Sequence, residues 1–372
     1  MYYVDVSAAV HARAGLGRYS ERLARALADL YPGEIALFYN RGPEGQLPAS
    51  LFHLPRRSVR MGYKPWRMAV LMTHLAFGRL DPLLPEARLF HSTEHLLLPL
   101  RSVPAVLTVH DLIFKLFPEY QKRLNQWYLN LAMPLYCRRA DAIIAVSEAS
   151  RRDIIEHYDV APEKVHVVYE AAAPHFRPPS ADAVARVRQQ YQLPDDFVVH
   201  LSTIEPRKNL GRLVDALKQV RRDFPELRLV LVGAKGWLYD SFFARLEAEE
   251  LSDVVVALGW VPDADLPAIL AAARLAVQPS LYEGFGLPIL EHMASGQVVA
   301  ASRASSHPEV GGRAAAYFNP HDVEEMATVI RRLLLDDEEC RERREAGLEQ
   351  ASRFSWERTA RETMAVYQAL LP

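Results

Sequence analysis

Two glutamates frame a short glycine-containing loop in the second half of the sequence. Glu283 and Glu291 stand eight residues apart in SLYEGFGLPILE (280–291), just after an apolar run. Proline suits the first turn of a helix, where its missing N–H costs nothing, so Leu287 or Pro288 is expected to begin a helix. This pattern predicts Glu291 in the first helical turn and Glu283 on the strand-to-helix loop.

The residues between the two glutamates suit an anionic ligand. Gly284 and Gly286 let the backbone pass close to a ligand. The backbone N–H groups at the expected helix start carry a partial positive charge, which suits a phosphate. The alternative is that Glu291 only interacts favourably with the helix dipole and that Glu283 is solvated, so that neither residue binds a ligand. The glycine pair after a parallel strand favours a ligand site.

A second candidate is a pair of cations in STIEPRKNLGRLVDAL (202–217). Arg207 and Lys208 follow an expected strand, and Asn209 is predicted to cap the next helix. Arg can bind a diphosphate through two hydrogen bonds, and Lys can neutralise it as a point charge. The alternative is two surface charges. Because parallel strands end at the same edge of a sheet, this loop and the Glu283 loop together favour a pyrophosphate site.

A histidine and two glycines in the first half are further candidates. His110 ends an expected strand, where it can orient a hydroxyl, share a proton or serve a structural role. Gly15 and Gly17 approach the GxGxxG pattern, but Ser20 replaces the third glycine, and the second strand ends in Asn40 instead of an acidic residue. We therefore predict a flexible glycine turn that closes on a phosphate or an acceptor. No HExxH, GxSxG or GxxxxGK[ST] motif occurs in the sequence.

The basic segment 56–80 suggests an interaction surface. Five basic residues precede or begin an apolar helical stretch that contains Trp66 and Phe77: Arg56, Arg57, Arg60, Lys64 and Arg67. A basic amphipathic segment can lie on an anionic membrane. The alternative is a helix half buried in the first domain.

The elements that position these residues are alternating strands and amphipathic helices, a pattern typical of parallel sheets covered by helices. The expected strands cover 2–8, 34–40, 87–93, 105–111, 141–147 and 164–170, and then 196–203, 227–234, 254–260, 274–280, 297–302 and 314–319. A proline-rich linker separates the two sets. We predict two doubly wound domains, at 1–172 and 173–355, which face a ligand across a cleft. The amphipathic tail 356–372 is expected to pack back on the first domain.

Bulk properties limit the function further. A formal net charge of −2 over 372 residues argues against a nucleic-acid partner. Cys137 and Cys340 lack CxxC spacing, which fits a reducing compartment and excludes a Cys-based metal site. The N-terminus lacks a signal-peptide pattern, and no apolar run has the length of a membrane span. These features lead us to expect a soluble, cytoplasmic protein.

The motifs resemble those of the retaining glycosyltransferases of family 4, which have the GT-B fold. The similarity runs over nearly the whole chain and is strongest between 200 and 320. There STIEPRKNL, LGWVPDADL, PSLYEGFGLPILEHMASG and ASSHPEVGGRAAAYFNP follow the family pattern in order and spacing. GLGRYS, TVHDLIF and AVSEASRRDI also match. The resemblance implies an α/β GT-B protein with an acceptor-side domain and a nucleotide-sugar-binding domain, both Rossmann-like.

The resemblance also implies roles for individual residues. Glu283 would lie near the donor sugar, and Arg207 and Lys208 would bind the diphosphate and stabilise charge on the leaving group. The catalytic residues are then His110, Arg207, Lys208 and Glu283. The substrate-binding residues are Gly15, Gly17, Gly284, Phe285, Gly286, Leu287 and, for the ribose hydroxyls, Glu291.

The implied reaction transfers a hexose, with mannose favoured, from a GDP- or UDP-sugar to a glycan or lipid-linked acceptor of surface polysaccharide synthesis. The anomeric configuration is retained. No metal or other cofactor is expected, because Arg and Lys supply the positive charge. His292 stands where small residues are common in the family, which leaves the donor preference open. Peripheral contact with the inner face of the membrane through 56–80 would be a further interaction.

Two other enzyme classes share the alternating pattern. A nucleotide-sugar epimerase would keep the phosphate site but use carboxylates beside the sugar and no external acceptor. An NAD-dependent oxidoreductase would need a complete GxGxxG and an acidic partner, neither of which is present.

Overall fold

The computed structural model describes residues 1–371, which form two compact units. The first unit comprises Met1–Glu170 and the residues from Ser355 onward, and the second comprises Ala171–Phe354. Each unit has one parallel sheet and its own hydrophobic core. Over residues 1–371, no helix combines the length and apolarity that a membrane span requires.

The first sheet has seven parallel strands in the order β3-β2-β1-β4-β5-β6-β7. These strands are β1 (Tyr2–Asp5), β2 (Ile35–Asn40), β3 (Arg56–Val59), β4 (Leu89–Ser92), β5 (Ala105–Val109), β6 (Ala142–Ala145) and β7 (Val165–Val167). The helices that accompany them are α1 (Ser7–Val10), α2 (Ala14–Leu30), α3 (Tyr63–Leu75), α4 (Ile113–Leu116), α5 (Arg123–Arg139) and α6 (Glu148–Tyr158).

The second sheet has six parallel strands in the order β10-β9-β8-β11-β12-β13. These strands are β8 (Phe197–Leu201), β9 (Arg228–Val232), β10 (Val255–Gly259), β11 (Leu275–Gln278), β12 (Val299–Ser302) and β13 (Ala316–Phe318). The helices are α7 (Ala181–Gln190), α8 (Leu210–Val220), α9 (Asp240–Ala248), α10 (Leu266–Ala272), α11 (Leu287–Ala294), α12 (His307–Gly311), α13 (Val323–Leu335) and α14 (Asp337–Ser352).

The last helix, α15 (Trp356–Ala369), packs against α2 within the first unit. The Tyr367 hydroxyl lies 2.6 Å from Nδ1 of His91 on β4, and the Thr359 hydroxyl donates to the carbonyl of Tyr169 at 2.7 Å. The tail 356–372 therefore supplies a helix that covers the first sheet, apart from Pro372, which lies outside the described residues.

The strand order reverses once in each sheet, at β1 and at β8. Strand β1 lies between β2 and β4, and strand β8 lies between β9 and β11. Doubly wound sheets bind ligands outside the carboxyl ends of the strands at such switch points. The loops after β1, β4, β8 and β11 are therefore the expected ligand-binding loops of the two sheets.

The predicted alternation of parallel strands and helices is confirmed, and every predicted strand contains an observed one. The stripe Leu210, Leu213, Leu217 and Val220 is buried on α8, as its 3.6-residue spacing predicts. Strand β3 was not predicted. Its residues RRSV are largely exposed at the edge of the sheet, so they carry none of the apolar signal of a central strand.

The prediction of a flexible turn at Gly15 and Gly17 is wrong, because both residues lie in the first turn of α2. A Cβ at Gly17 would lie 3.0 Å from the carbonyl oxygen of Ala8 and 3.3 Å from the Cα of Ala9. Glycine at this position thus lets α1 and α2 approach closely. A Cβ at Gly15 would meet no atom within 4 Å. Their predicted contact with a substrate stays a prediction.

Candidate functional site

The loops after β8 and β11 adjoin each other at the switch point of the second sheet. The loop after β8 contains the short 3-10 turn Pro206–Lys208, and the backbone N–H of Leu281 donates to the carbonyl of Arg207 at 2.9 Å. The Asn209 side-chain amide donates to the carbonyls of Pro279 at 3.0 Å and Pro320 at 2.7 Å. These bonds hold the two loops together.

The predicted cap at Asn209 is wrong. This residue precedes α8 in the left-handed conformation, with φ 59°, and its side chain makes no hydrogen bond to the helix amides. A capping side chain needs an extended backbone that points its oxygen at the next turn. The Asn209 amide instead joins loops that are distant in sequence.

Glu283 is the centre of a buried ion network in these loops. Lys208 Nζ lies 2.6 Å from its Oε1, and Arg207 Nη1 lies 2.7 Å from its Oε2. Arg207 Nη2 also lies 2.5 Å from Oε1 of Glu205, and the Ser280 hydroxyl donates to Oε1 of Glu283 at 2.7 Å. The two predicted cations and the predicted carboxylate therefore contact one another.

The protonation states in this network follow from burial and charge. Burial raises the pKa of the Glu283 carboxyl, but the charges of Arg207 and Lys208 outweigh it and hold that pKa well below its usual range. Burial and the Arg207 charge lower the pKa of Lys208, against the opposing effect of Glu283 and Glu205. Glu283 is therefore an anion at neutral pH.

The backbone around Glu283 is held by residues that follow β12. The Ser305 and Ser306 hydroxyls donate to the Glu283 carbonyl at 2.5 and 3.0 Å, and Ser306 Oγ also lies 2.7 Å from the carbonyl oxygen of Phe285. The GFG loop is thus fixed by tertiary hydrogen bonds. A glycine-containing loop held in this way presents a defined backbone to a ligand.

Helix α11 begins directly after this loop. Gly286 precedes it with φ 99°, a left-handed conformation that suits glycine, and a Cβ there would lie 3.1 Å from Cδ2 of His307. The helix begins at Leu287, one of the two predicted starts. The predicted position of Glu291 in the first turn is wrong. Glu291 is the fifth helical residue, and a turn holds 3.6 residues, so its buried side chain lies in the second turn.

His292 contacts the sheet from the buried side of α11. Its Nε2 lies 3.0 Å from the side-chain nitrogen of Gln278 on β11. Burial, with a smaller effect of the His200 charge, lowers the pKa of His292 to about 3, so its ring is neutral and accepts from Gln278. His292, which stands where small residues are common in the family, is therefore part of the packing between α11 and β11.

His110, after β5 in the first unit, has both ring nitrogens engaged. Nδ1 lies 3.1 Å from Oε1 of Glu170, and Nε2 lies 2.9 Å from the carbonyl oxygen of Thr93. Burial alone would lower the pKa of the imidazole, but the hydrogen bond and charge of Glu170 outweigh it, and the pKa is raised. Two oxygen acceptors require two N–H donors, so this geometry fits an imidazolium.

Among residues 1–371, no cluster of three or more His, Cys, Asp or Glu side chains has an arrangement that would hold a metal ion.

Comparison with protein families matches both halves of the chain. Residues 13–176 match "Glycosyltransferase Family 4", and residues 184–350 match "Glycosyl transferases group 1". The "O-antigen chain mannosyltransferase B" of Escherichia coli is 33% identical in an alignment 379 positions long, gaps included, which covers 96% of each chain. The chain belongs to glycosyltransferase family 4. It is a hexosyltransferase, and the matches give no support to an epimerase.

Two further comparisons extend this assignment. The "Serotype-specific mannosyltransferase WbdA" of Escherichia coli is 33% identical to this glycosyltransferase over 286 residues, or 74% of this chain and 35% of WbdA. The crystal structure of Anabaena HepE in complex with UDP and glucose superposes with a TM-score of 0.75 at 21% identity, covering 99% of each chain. The GT-B fold predicted from the sequence is confirmed.

Sequence reasoning missed several residues that hold the candidate side chains of each unit in place. Glu205 binds Arg207, Ser305 and Ser306 fix the Glu283 backbone, and Glu170 binds His110. Glu170 ends a predicted strand, and Glu205 immediately precedes the PRK segment. Their positions in the sequence could therefore have identified them as partners of the candidate residues. The two serines follow β12, and only the folded chain brings them to Glu283.

Proposed function

We propose that this glycosyltransferase moves a hexosyl group, with mannosyl favoured, from a nucleoside-diphosphate sugar to a glycan or lipid-linked acceptor of surface polysaccharide synthesis, with retention of configuration. The observation that carries the proposal is the contact of Arg207 and Lys208 with Glu283 beside the start of α11. Mannose is supported by the names of the two Escherichia coli relatives. A nucleotide-sugar donor is supported by the UDP and glucose in the HepE complex.

In this proposal, Arg207 and Lys208 bind the diphosphate and stabilise the negative charge that develops as the sugar leaves. Glu283 already holds both cations in place, so little reorganisation is needed when the charge appears. The amides around Gly284, Phe285, Gly286 and Leu287 add partial positive charge from the helix start. These cations and dipoles supply the charge stabilisation, and the proposal includes no metal or other cofactor.

The depressed pKa of Glu283 limits its role. A carboxyl group that stays ionised at neutral pH cannot donate a proton to the leaving group. We therefore assign to Glu283 the positioning of Arg207 and Lys208 and electrostatic contact with the donor sugar. Glu291, buried one turn into α11, is the ligand of the ribose hydroxyls in this proposal. The role of His110 as a contact of the donor sugar stays a prediction.

A thermal-shift panel of GDP- and UDP-sugars tests the proposed donor class. A ligand at 100 times its dissociation constant adds about 2.7 kcal/mol to the free energy of unfolding, so a true donor raises the melting temperature clearly. GDP-mannose is expected to give the largest shift, and NAD serves as the negative control. If NAD stabilises the protein and no nucleotide sugar does, the proposed function is wrong.

We also propose peripheral contact with an anionic membrane through α3 and α5. These helices adjoin each other, since the Tyr128 hydroxyl donates to the carbonyl of Arg67 at 3.1 Å and Arg67 Nη1 donates to Asn125 at 3.0 Å. The exposed apolar residues of this surface are Met68, Met72, Leu75, Phe77, Leu124, Trp127 and Leu131. Exposed basic residues at or near the ends of these helices are Lys64, Arg79, Lys122, Arg123, Arg138 and Arg139. Apolar side chains flanked by cations suit an anionic lipid surface, at roughly 1 kcal/mol per basic residue near it.

Vesicle sedimentation tests this contact. Wild-type protein is expected to bind vesicles that contain anionic phospholipid at low salt, and Trp127→Ser should weaken this binding. Trp260, 69% exposed on the second unit, gives the matched control Trp260→Ser. Equal vesicle binding by the two variants, or none by the wild type, rules the contact out.

A further inference from the structure

A second carboxylate, that of Glu205, adjoins the two cations of the proposed diphosphate site. Glu205 immediately precedes the 3-10 turn Pro206–Lys208, and its Oε1 lies 2.5 Å from Nη2 of Arg207. The Glu205 side chain is only 3% exposed, and its Oε2 is buried without a hydrogen-bond partner among residues 1–371. Burying a carboxylate with one oxygen unpaired is costly for folding, so this contact needs an explanation other than stability.

The backbone fixes Glu205 on both sides. Ile204, which precedes it, donates its N–H to the carbonyl of Ala234 at 2.9 Å and accepts from the N–H of Gly236 at 3.0 Å. Pro206, which follows it, restricts the preceding residue to an extended conformation, and Glu205 has φ −153° and ψ 159°. The Glu205 carboxylate therefore has a defined place before a ligand binds.

Acceptors from three residues hold the Arg207 guanidinium. Its Nη1 donates to the carbonyl of Tyr282 at 2.5 Å and lies 2.7 Å from Oε2 of Glu283. Its Nη2 contacts Glu205, as described above. A guanidinium is planar and rigid, so contacts at both terminal nitrogens fix the orientation of the whole group. Glu205 therefore positions Arg207 from the side opposite to Glu283 along the guanidinium edge formed by Nη1 and Nη2.

Glu205 also balances the charge of the site. Arg207 and Lys208 supply two positive charges, and their ion-pair partners Glu205 and Glu283 supply two negative ones. Burial and the Arg207 charge lower the pKa of Lys208, and the charges of Glu283 and Glu205 oppose this effect, so Glu205 acts on both cations. A carboxylate this close to Arg207 weakens the attraction between the cations and any bound anion.

We propose that Glu205 positions Arg207 and, through its charge, weakens binding of the nucleoside diphosphate, so that this product is released after sugar transfer. The inference rests on the proposed function. Two cations without a counter-charge would hold the diphosphate product as firmly as the departing diphosphate of the transition state. Binding that is equal in both states does not speed the chemical step, and product release limits the turnover of many enzymes.

Calorimetric binding of GDP and GMP to the full chain tests this role. Glu205→Gln keeps a side-chain oxygen for Arg207 but removes the charge, so it is expected to bind GDP about tenfold more tightly than the wild type and GMP with nearly unchanged affinity. A residue that only supported the fold would give no such gain. Glu226→Gln is the matched control, because Glu226 is exposed just before β9, at the opposite edge of the sheet, and both affinities should stay unchanged. Glu283 cannot serve for this test, because its loss would also release Lys208.

A GDP affinity of Glu205→Gln that equals or falls below that of the wild type overturns the inference. If this variant does not fold, Glu205→Asp replaces it. The shorter side chain keeps the charge but moves it away from Arg207, so GDP should bind about threefold more tightly than to the wild type, and unchanged affinity overturns the inference. Absence of any nucleotide binding to the wild type counts against the proposed function. Normal binding of GDP to the wild type, without a gain in the Glu205 variants, counts against the role of Glu205 alone.

Discussion

Lys208 Nζ lies 2.6 Å from Oε1 of Glu283, and this ion pair connects the loops after β8 and β11. The two side chains are only 8% and 12% exposed, so water screens their interaction weakly. Arg207 approaches the other carboxylate oxygen of Glu283 at 2.7 Å. The pairing fixes the cations at the edge of the sheet before a ligand arrives.

Lys208→Met is expected to destabilise the fold by about 3 kcal/mol, because it leaves part of the buried Glu283 charge uncompensated. Urea unfolding gives the free energy directly. Lys218 pairs with Glu249 on the exposed surface of the same unit, so Lys218→Met is the matched control and should cost less than about 1 kcal/mol. Equal costs for the two variants would mean that the buried pair contributes no more to stability than the surface pair.

Glu283→Gln is expected to reduce kcat by about 100-fold or more while nucleotide-sugar binding is largely kept. The amide keeps the shape of the side chain but loses the charge that orients Arg207 and Lys208. Steady-state kinetics and calorimetric donor binding separate the two quantities. Unchanged kcat in this variant would remove Glu283 from the catalytic residues.

The ion pair of His110 and Glu170 should contribute a pH-dependent part of the stability. The folded-state pKa of His110 is raised above the ordinary value of 6.5, so its contribution is fully present below pH 6.5 and is lost as pH rises through the folded pKa. The difference in melting temperature between wild type and Glu170→Gln should therefore shrink as pH rises. A difference that grows with pH contradicts this reasoning.

Gly17→Ala and Gly15→Ala form a matched pair in the first turn of α2. The added Cβ meets the Ala8 carbonyl at 3.0 Å in the first case and nothing within 4 Å in the second. Gly17→Ala should cost about 1–3 kcal/mol through overpacking. Gly15→Ala should be neutral or stabilise by up to about 1 kcal/mol. Thermal or urea unfolding of both variants checks this. A larger loss of stability in Gly15→Ala than in Gly17→Ala would indicate that the backbone at Gly15 has a role beyond forming the helix.

The features that could be predicted from the sequence are those that depend on local residue patterns. Buried parallel strands are continuous apolar runs, so twelve of the thirteen strands were located, and only the exposed, basic β3 escaped. The start of α11 followed from the restricted φ of Pro288. Arg207, Lys208 and Glu283 were expected on one edge because parallel strands end together.

The features that could not be predicted from the sequence depend on contacts between residues that are distant along the chain. Asn209 resembles a helix cap locally, but its amide binds carbonyls 70 and 111 residues away. Gly15 and Gly17 resemble a phosphate-binding turn, yet α2 begins before them. Among residues 1–371, one buried side-chain oxygen each of Asp5, Asn40 and Glu94 has no hydrogen-bond partner, and this is evident only when β1, β2 and β4 are assembled into one sheet.

The most direct test of the central claim compares GDP with GMP binding by calorimetry, in wild type and in the double variant Arg207→Ala with Lys208→Ala. If the two cations bind the diphosphate, wild type binds GDP more tightly than GMP, and the double variant loses most of that difference. A double variant that still distinguishes GDP from GMP as the wild type does would contradict the assignment of Arg207 and Lys208 to the diphosphate.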